Sequence, residues 1–245
     1  MYGAKDHDMK AILLAAGVGS RLAKDLDRPK CTWEIGSVPL IEKTAGMLLS
    51  RGIEVVLVTG YKKEKIYEVL KDYPIKYYYN PFFRNTNSLG SLWFAREELT
   101  GDGDVILGNA DVFWGEDILD LLVAQEMEAV LLGDYTRTKV GDYHFQTGEN
   151  GRLLAYGKDL SLQSRSCEYV GLAKIKADFV ETFRSHVEEL VDREAYHLWW
   201  ENALYEYCKQ TPVYIKDVKG MFWGEIDYME DYNRIRNHVL EEANK

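Results

Sequence analysis

Cysteine is scarce in this chain: Cys31, Cys167 and Cys208 are its only three among 245 residues. Their odd number and wide spacing offer neither a disulfide framework nor a zinc-ligand set, and they suit a reducing compartment. Positive charge is also in the minority, with 30 Lys and Arg against 40 Asp and Glu, a net charge of −10. Phosphate-backbone affinity comes from clustered Lys and Arg, so this balance argues against a general nucleic-acid binder. No apolar run approaches the roughly 18 residues needed to span a bilayer, and no secretory leader precedes the first apolar segment. The expectation is a cytoplasmic protein with no membrane or nucleic-acid partner. No stretch rich in Pro, Gly or Ser marks a linker, and there is no internal repeat or low-complexity tract.

What is present is ordinary for a globular protein, 46% apolar and 29% charged. A chain of this length can bury a substantial core as one large α/β domain or two small ones. The first half alternates strand and helix, with strands at 10–15, 54–59, 75–79 and 104–109 and helices at 39–51, 62–72, 88–99 and 115–124. That alternation implies a parallel sheet with crossover helices. A strand at 128–132 continues it. Beyond it the pattern changes to a hairpin of 142–147 and 151–157, a strand near 168–175 and helices at 177–192 and 196–208. Strands near 213–218 and 221–226 and a helix over 228–243 complete the chain. One domain is expected over residues 9–245. Residues 1–8, polar and ahead of Met9, read as a disordered or alternative extension.

The first strand breaks into Leu14-Ala15-Ala16-Gly17-Val18-Gly19-Ser20-Arg21-Leu22, and eight residues later the loop closes on Pro29-Lys30. Small residues let consecutive backbone amides approach a polyphosphate, and glycine permits the dihedrals this needs. Arg21, Arg28 and Lys30 concentrate cations locally in an acidic chain, and Mg²⁺ would neutralise the remaining phosphate charge. The Walker pattern lacks its Gly-Lys-Ser/Thr here, and the dinucleotide fingerprint lacks its third Gly or Ala, where Leu22 stands. Gly17 and Gly19 alone would be equally at home in an ordinary strand-to-helix turn. With Arg21, Pro29 and Lys30 added, the segment resembles the N-terminal motif of the nucleotidyltransferases, the sugar-phosphate and alcohol-phosphate pyrophosphorylases.

In open α/β sheets ligands sit beyond the carboxyl ends of the strands, so the loops 16–30, 80–91 and 109–116 should lie side by side. Asp111 ends an apolar strand there and can hold Mg²⁺, which prefers carboxylate, water and phosphate oxygens. The resembled family has its first metal ligand at this place, and Ala110 falls among its nucleotide contacts. Many members carry a second acid where this chain has Asn109. A C-terminal strand ending Glu225-Ile226-Asp227 resembles the segment supplying the family's other metal ligand. Asp227 would fill that role, with Glu225 on the same face by strand periodicity. Asp227 could equally cap the following helix.

Asn80-Pro81 and Asn87-Ser88-Leu89 resemble a segment of bacterial phosphocholine cytidylyltransferases that meets the base and ribose, though each polar residue could instead cap a helix. Trp199-Trp200-Glu201 resembles their aromatic-acid acceptor pocket. Aromatic faces plus a carboxylate suit a quaternary ammonium, although either Trp could simply be core.

This resemblance implies a three-layer α/β/α sandwich around a mostly parallel mixed sheet, of the nucleotide-diphospho-sugar transferase type. It implies Mg²⁺-dependent transfer of a cytidylyl group from CTP to a small phosphorylated alcohol or amine, phosphocholine first. Arg21 and the amides of 16–20, continuing from Ala15, would hold the β- and γ-phosphates, and Lys30 would stabilise the transition state. Asp111 and Asp227 would bind the metal, and Glu201, Trp199, Trp200 and Glu225 the acceptor. Alternatives are 2-aminoethylphosphonate, inositol 1-phosphate or a sugar 1-phosphate as acceptor, and, from other classes, a glycosyltransferase or a nucleotide-sensing subunit. A glycosyltransferase predicts an Asp-x-Asp motif that Asn109 breaks. A sensor predicts loss of Arg21 or Lys30. A homodimer is left open.

Overall fold

The computed structural model describes residues 9–19 and 28–243. The expected extension at 1–8 and the positions Ser20 and Arg21 lie outside the described residues.

Strand β1 (Met9–Ala15) shows why this chain forms layers. Its side chains alternate across the sheet, as a period of two requires. Ile12 and Leu14 join one hydrophobic cluster, while Ala11, Leu13 and Ala15 join another on the opposite face. Being buried on both faces, the strand is a near-continuous apolar run, the mark of an interior parallel strand. A small separate hairpin of β2 (Glu34–Ile35) and β3 (Val38–Pro39) follows it in the chain, and β1 itself pairs in parallel with β4 (Glu54–Thr59) and with β6 (Asp104–Asn109). Strand β5 (Lys76–Tyr79) extends the parallel part beyond β4.

On one face lie helices α1 (Leu40–Ser50) and α4 (Glu116–Val123), burying Ile41, Ala45 and Leu48 and Ile118, Leu119 and Leu122. On the other lie α3 (Ser88–Phe94) and α5 (Ala177–Asp192), the latter burying Phe179, Val180, Phe183, Val187 and Leu190 at helical spacing. Each Val, Leu, Ile or Phe side chain buried in this way stabilises the fold by about 1.5–3 kcal/mol. The result is the expected α/β/α sandwich.

The second half makes the sheet mixed. Strands β8 (Ala129–Asp134), β9 (His144–Thr147), β10 (Leu153–Gly157), β11 (Cys167–Ile175) and β12 (Tyr214–Asp217) complete it. Strand β11 runs antiparallel to β6, β8 and β9, whereas β12 is parallel to β8. A separate two-stranded ribbon pairs β7 (Val112–Trp114) with β13 (Trp223–Glu225), a partner for the C-terminal strand that sequence did not identify. Helix α7 (Met229–Ala243) packs through Ile235 onto Trp33, Phe113 and Ile226, seating the C-terminal segment beside the β6–β7 turn.

Three expected helices are shorter than sequence suggested. Helix α2 spans Lys63–Val69 rather than 62–72, beginning after Lys62, which is left-handed at φ 46°. Helix α3 stops at Phe94 and gives way to a single 3₁₀ turn, Arg96–Glu98. The largest departure is at 196–208, where only Asn202–Tyr205 (α6) is α-helical. The reason is competition for backbone groups. The Tyr196 and Leu198 carbonyls accept from the Asn87 and Leu89 amides at 3.0 and 3.2 Å, and the Trp200 amide donates to Ser88 Oγ at 2.9 Å. Residues 196–200 are thereby held as a strap of turns along the start of α3.

Among the described residues no helix is long and apolar enough to cross a membrane. Cys31, Cys167 and Cys208 are buried and unpaired.

Candidate active site

Two adjoining cavities open at the carboxyl ends of β1 and β6, of about 220 and 480 Å³. The smaller is walled by Ala15, Ala16, Gly17 and Gly19, by Pro29 and Lys30, by Phe83 and Thr86–Ser88, and by Asn109–Asp111. The three loops expected to meet therefore do. The strand pairing leads them there: beyond the ladder, the Ala110 amide donates to the Leu14 carbonyl at 3.0 Å.

Glycine is required where the Lys30 side chain crosses the loop. Gly19 has φ +64°, and a Cβ there would lie 2.9 Å from Lys30 Cε. Lys30 opens a buried 3₁₀ turn, Lys30–Thr32, in which Thr32 returns both its amide (3.0 Å) and its hydroxyl (2.7 Å) to the Pro29 carbonyl. The Pro29-Lys30 pair is thus a rigid mount for the ammonium.

That ammonium stands between two carboxylates from distant parts of the chain, 2.7 Å from Asp227 Oδ1 and 3.7 Å from Asp111 Oδ2. The β7–β13 ribbon sets Glu225 opposite Val112, and the Ile226 amide then donates to the Asp111 carbonyl at 3.0 Å. This registers Asp111 against Asp227. Burial opposes the charge on Lys30, but Asp111, Asp227 and Glu225 outweigh it and hold the amine above its ordinary range. Burial pushes the Asp111 carboxyl up against the pull of Lys30, with Asp227 adding to the rise. Glu225 is driven well above the carboxylate range by burial, then by Asp111 and Asp227. At the start of α7 Asp231 folds back, its Oδ2 accepting from the Asp227 and Tyr228 amides at 3.3 and 2.9 Å. Asp111 is not a cap: Gly115 precedes α4, and the Ile118 amide donates to Asp117 Oδ1.

The larger cavity shares Lys30, Asn87, Ser88, Asn109, Trp199 and Glu225 with the smaller and adds Glu201, Asp227, Asp142, Tyr143, Lys158, Tyr169 and Tyr205. Glu201 is 4% exposed. Burial raises its carboxyl to about 7, against the polar contacts of its own backbone, Tyr169 and Asn109. Tyr143, Tyr169 and Tyr205 are raised by burial first and by Glu201 next, so their phenols stay neutral. Tyr143 stacks on Tyr205 (5.8 Å) and meets Trp199 edge-on (5.2 Å). Aromatic faces and a carboxylate are the two kinds of group that attract an organic cation.

Several expected site residues lie elsewhere. Trp200 lines neither cavity: it is fully buried in the core, and its Nε1 donates to Asn109 Oδ1 at 3.2 Å. Of the pair, Trp199, 37% exposed, faces the cavities. Asn80 is fully buried and braces the 80–91 loop. Its Nδ2 donates to Thr86 Oγ1 and Ser91 Oγ, and its Oδ1 accepts from the Phe82 amide. Val18 borders neither cavity. Arg28 is exposed and lies in a separate recess with Glu34, Lys65 and Glu68. Asn87 both lines the cavities and caps α3, accepting from the Ser88 amide. Asn109, where many relatives of the resembled family carry an acid, contacts Glu201; a carboxylate at 109 would repel it.

Sequence reasoning missed Tyr143, Tyr169 and Tyr205. Tyr205 was detectable, standing four residues after Glu201 in an expected helix, where i and i+4 share a face. Tyr143 and Tyr169 reach the cavity only through the pairing of β9 with β11.

A glycine-rich loop at the carboxyl end of a parallel strand, a lysine between two carboxylates and an adjoining second cavity define an enzyme class that acts on the phosphates of a nucleotide. Residues 11–141, more than half of the chain, match the MobA-like NTP transferase domain family, and the chain belongs to it. It is a nucleotidyltransferase. It is 26% identical to the choline-phosphate cytidylyltransferase of Streptococcus pneumoniae over 96% of this chain and 100% of that protein. It is also 26% identical to the CTP:phosphoglutamine cytidylyltransferase of Campylobacter jejuni, over 91% of this chain and 97% of that protein. Among solved structures, the CTP:phosphocholine cytidylyltransferase from S. pneumoniae superposes with TM-score 0.77 at 23% identity, covering 95% of this chain and 99% of that one. The inositol-1-phosphate CTP transferase from T. maritima does so with TM-score 0.78 at 18% identity, covering 97% and 98%.

Proposed function

We propose that this enzyme transfers a cytidylyl group from CTP to a small phosphorylated acceptor with a cationic head group, phosphocholine first among them, giving CDP-choline and pyrophosphate. The observation that carries the reading is the pair of cavities meeting at Lys30. One is lined by the glycine-rich loop, and the other ends in the buried Glu201 carboxylate among Tyr143, Tyr169, Tyr205 and Trp199. Cytidine as the base, like choline phosphate as the acceptor, is supported by the names of the relatives.

In the reaction, an oxygen of the acceptor's phosphate bonds to the α-phosphorus. The bond from that phosphorus to its bridging oxygen breaks, and the electron pair leaves with pyrophosphate. Little covalent help is needed; positioning and charge neutralisation dominate. Lys30, shared by both cavities, faces the place where nucleotide and acceptor meet and stabilises the charge that builds there. Ala15, Ala16, Gly17 and Gly19 border the phosphates with their backbone, Arg21 adds charge to that loop, and Asn87, Ser88 and Ala110 border the nucleotide. Glu201 and Trp199 hold the acceptor's cation, with Glu225 between the two sites.

The donor set fits Mg²⁺. Asp111 and Asp227 offer hard carboxylate oxygens, their charge exceeds what Lys30 offsets, and Mg²⁺ typically takes one or two carboxylates plus substrate phosphates. When bound there, the ion would neutralise phosphate charge.

A pyrophosphate-release screen of each nucleoside triphosphate against phosphocholine, phosphoethanolamine, 2-aminoethylphosphonate, inositol 1-phosphate and glucose 1-phosphate tests the reading. CTP with phosphocholine should turn over fastest. Preferred use of inositol 1-phosphate or glucose 1-phosphate would overturn it.

A further inference from the structure

We infer that Asp142 and Lys158 form the mouth of the acceptor site, Asp142 as a second carboxylate for the acceptor's cation and Lys158 as a resident cation that the acceptor displaces. The inference rests on the cationic acceptor proposed above and names residues that select it.

Asp142 precedes β9 and Lys158 follows β10, and the antiparallel pairing of Gly157 with His144 brings the two hairpin ends together. Lys158 Nζ lies 3.4 Å from Asp142 Oδ2 and 5.4 Å from the centroid of the Trp199 ring. Both residues line the larger cavity, as do Trp199 and Glu201. The lysine thus has one carboxylate and one aromatic face, the partners that recognise an organic ammonium.

Among the described residues this cavity has two lysines, Lys30 and Lys158, and they are held very differently. Lys30 is clamped by Asp227 at 2.7 Å with Asp111 beyond, and its side chain is 11% exposed. Lys158 is 44% exposed and its partner Asp142 is 61% exposed. An exposed pair at that separation contributes little, so an incoming ammonium exchanges with it readily. Lys158 has a flexible stem that can swing to solvent, opening the Trp199 face and the Oδ2 of Asp142 to the ligand. While in place, it repels a second cation. The pair therefore screens acceptors by charge: a cationic head group gains Asp142 on entry, whereas a neutral one gains nothing for displacing Lys158.

The test compares wild type with Lys158→Met and Asp142→Asn, using phosphocholine and its neutral carbon analogue, 3,3-dimethylbutyl phosphate, at saturating CTP. Lys158→Met should lower KM for phosphocholine about two- to fivefold and Asp142→Asn should raise it by a similar factor, the scale of one exposed cation–π or ionic contact. Both effects should fall on the acceptor's KM rather than on kcat, and both should be smaller with the neutral analogue. If the pair merely fastens the hairpin ends, both variants will shift KM in the same direction, which overturns the proposal. So does a higher phosphocholine KM in Lys158→Met, which would make Lys158 a contact for the acceptor's anionic end, and so does an unchanged KM in both variants. Failure of the underlying reading is separately visible, because wild type would then use the neutral analogue as well as phosphocholine.

Discussion

Glu201 makes acceptor affinity depend on pH in a direction its burial dictates. Its carboxyl is raised to about 7 from an ordinary 4.5, chiefly by burial. Keeping it ionised there rather than in water therefore costs about 3 kcal/mol, since each tenfold change in an ionisation equilibrium is worth about 1.36 kcal/mol. A cation on Glu201 needs the carboxylate, so binding releases a proton wherever Glu201 is protonated beforehand. For a group titrating near 7, roughly a tenth is ionised at pH 6 and nine-tenths at pH 8. KM for phosphocholine should thus fall about tenfold over those two units. The acceptor's own phosphate titrates near pH 6 and adds to the profile, so Glu201→Gln is the control that isolates the side chain. It should raise KM at pH 8, leave KM for CTP nearly unchanged, and retain only the acceptor's contribution to the pH dependence.

Stability should move in the opposite sense. A carboxyl with a raised folded-state value makes the native state bind more protons than the unfolded chain between about 4.5 and 7. Its contribution is complete below that window and is lost as pH rises through it. Glu168, also raised to about 7 by burial first, acts over the same range. Thermal melts should show wild type losing stability from pH 5 to 8 and Glu201→Gln losing less. The reasoning is refuted if wild type and Glu201→Gln give superimposable pH profiles for acceptor KM.

Further outcomes follow from the same geometry. Lys30→Ala should lower kcat about 10²–10³-fold with little change in KM for CTP, since its charge matters most as the transition state forms; single-turnover rates check this. Asp111→Ala and Asp227→Ala should each abolish activity at low Mg²⁺ and recover partly at high Mg²⁺ or with Mn²⁺, and wild-type turnover unaffected by EDTA would dismiss the metal. Trp200→Ala should cost about 3–5 kcal/mol of stability by emptying a core site. Trp199→Ala, on the exposed side of the same strap, should leave the melting temperature almost unchanged and raise acceptor KM. Denaturant titration beside kinetics separates the two tryptophans.

Local chemistry made one half of this site legible from sequence. A strand breaking into Ala15-Ala16-Gly17-Val18-Gly19 and a lysine held by Pro29 are contiguous patterns, and Asp111 declares itself by ending an apolar strand. Alternation in β1 and helical spacing in α1, α4 and α5 likewise carry the layered fold, because periods of 2 and 3.6 reflect which faces are buried. The other half was decided by tertiary pairing. Trp199 and Trp200 are equivalent in sequence, yet the 196–200 strap bonds to residues 87–89 and sends one indole to the cavity and the other into the core. Asn80 carries a motif but serves its own loop, since the amides and hydroxyls it satisfies become neighbours only on folding. Tyr143, Tyr169 and Tyr205 come from three separate elements, as do Asp142 and Lys158 from two ends of a hairpin. Sequence specifies what each segment forms and which face it buries; which side chains from distant segments share a cavity depends on strand order and register, and only the folded sheet sets those.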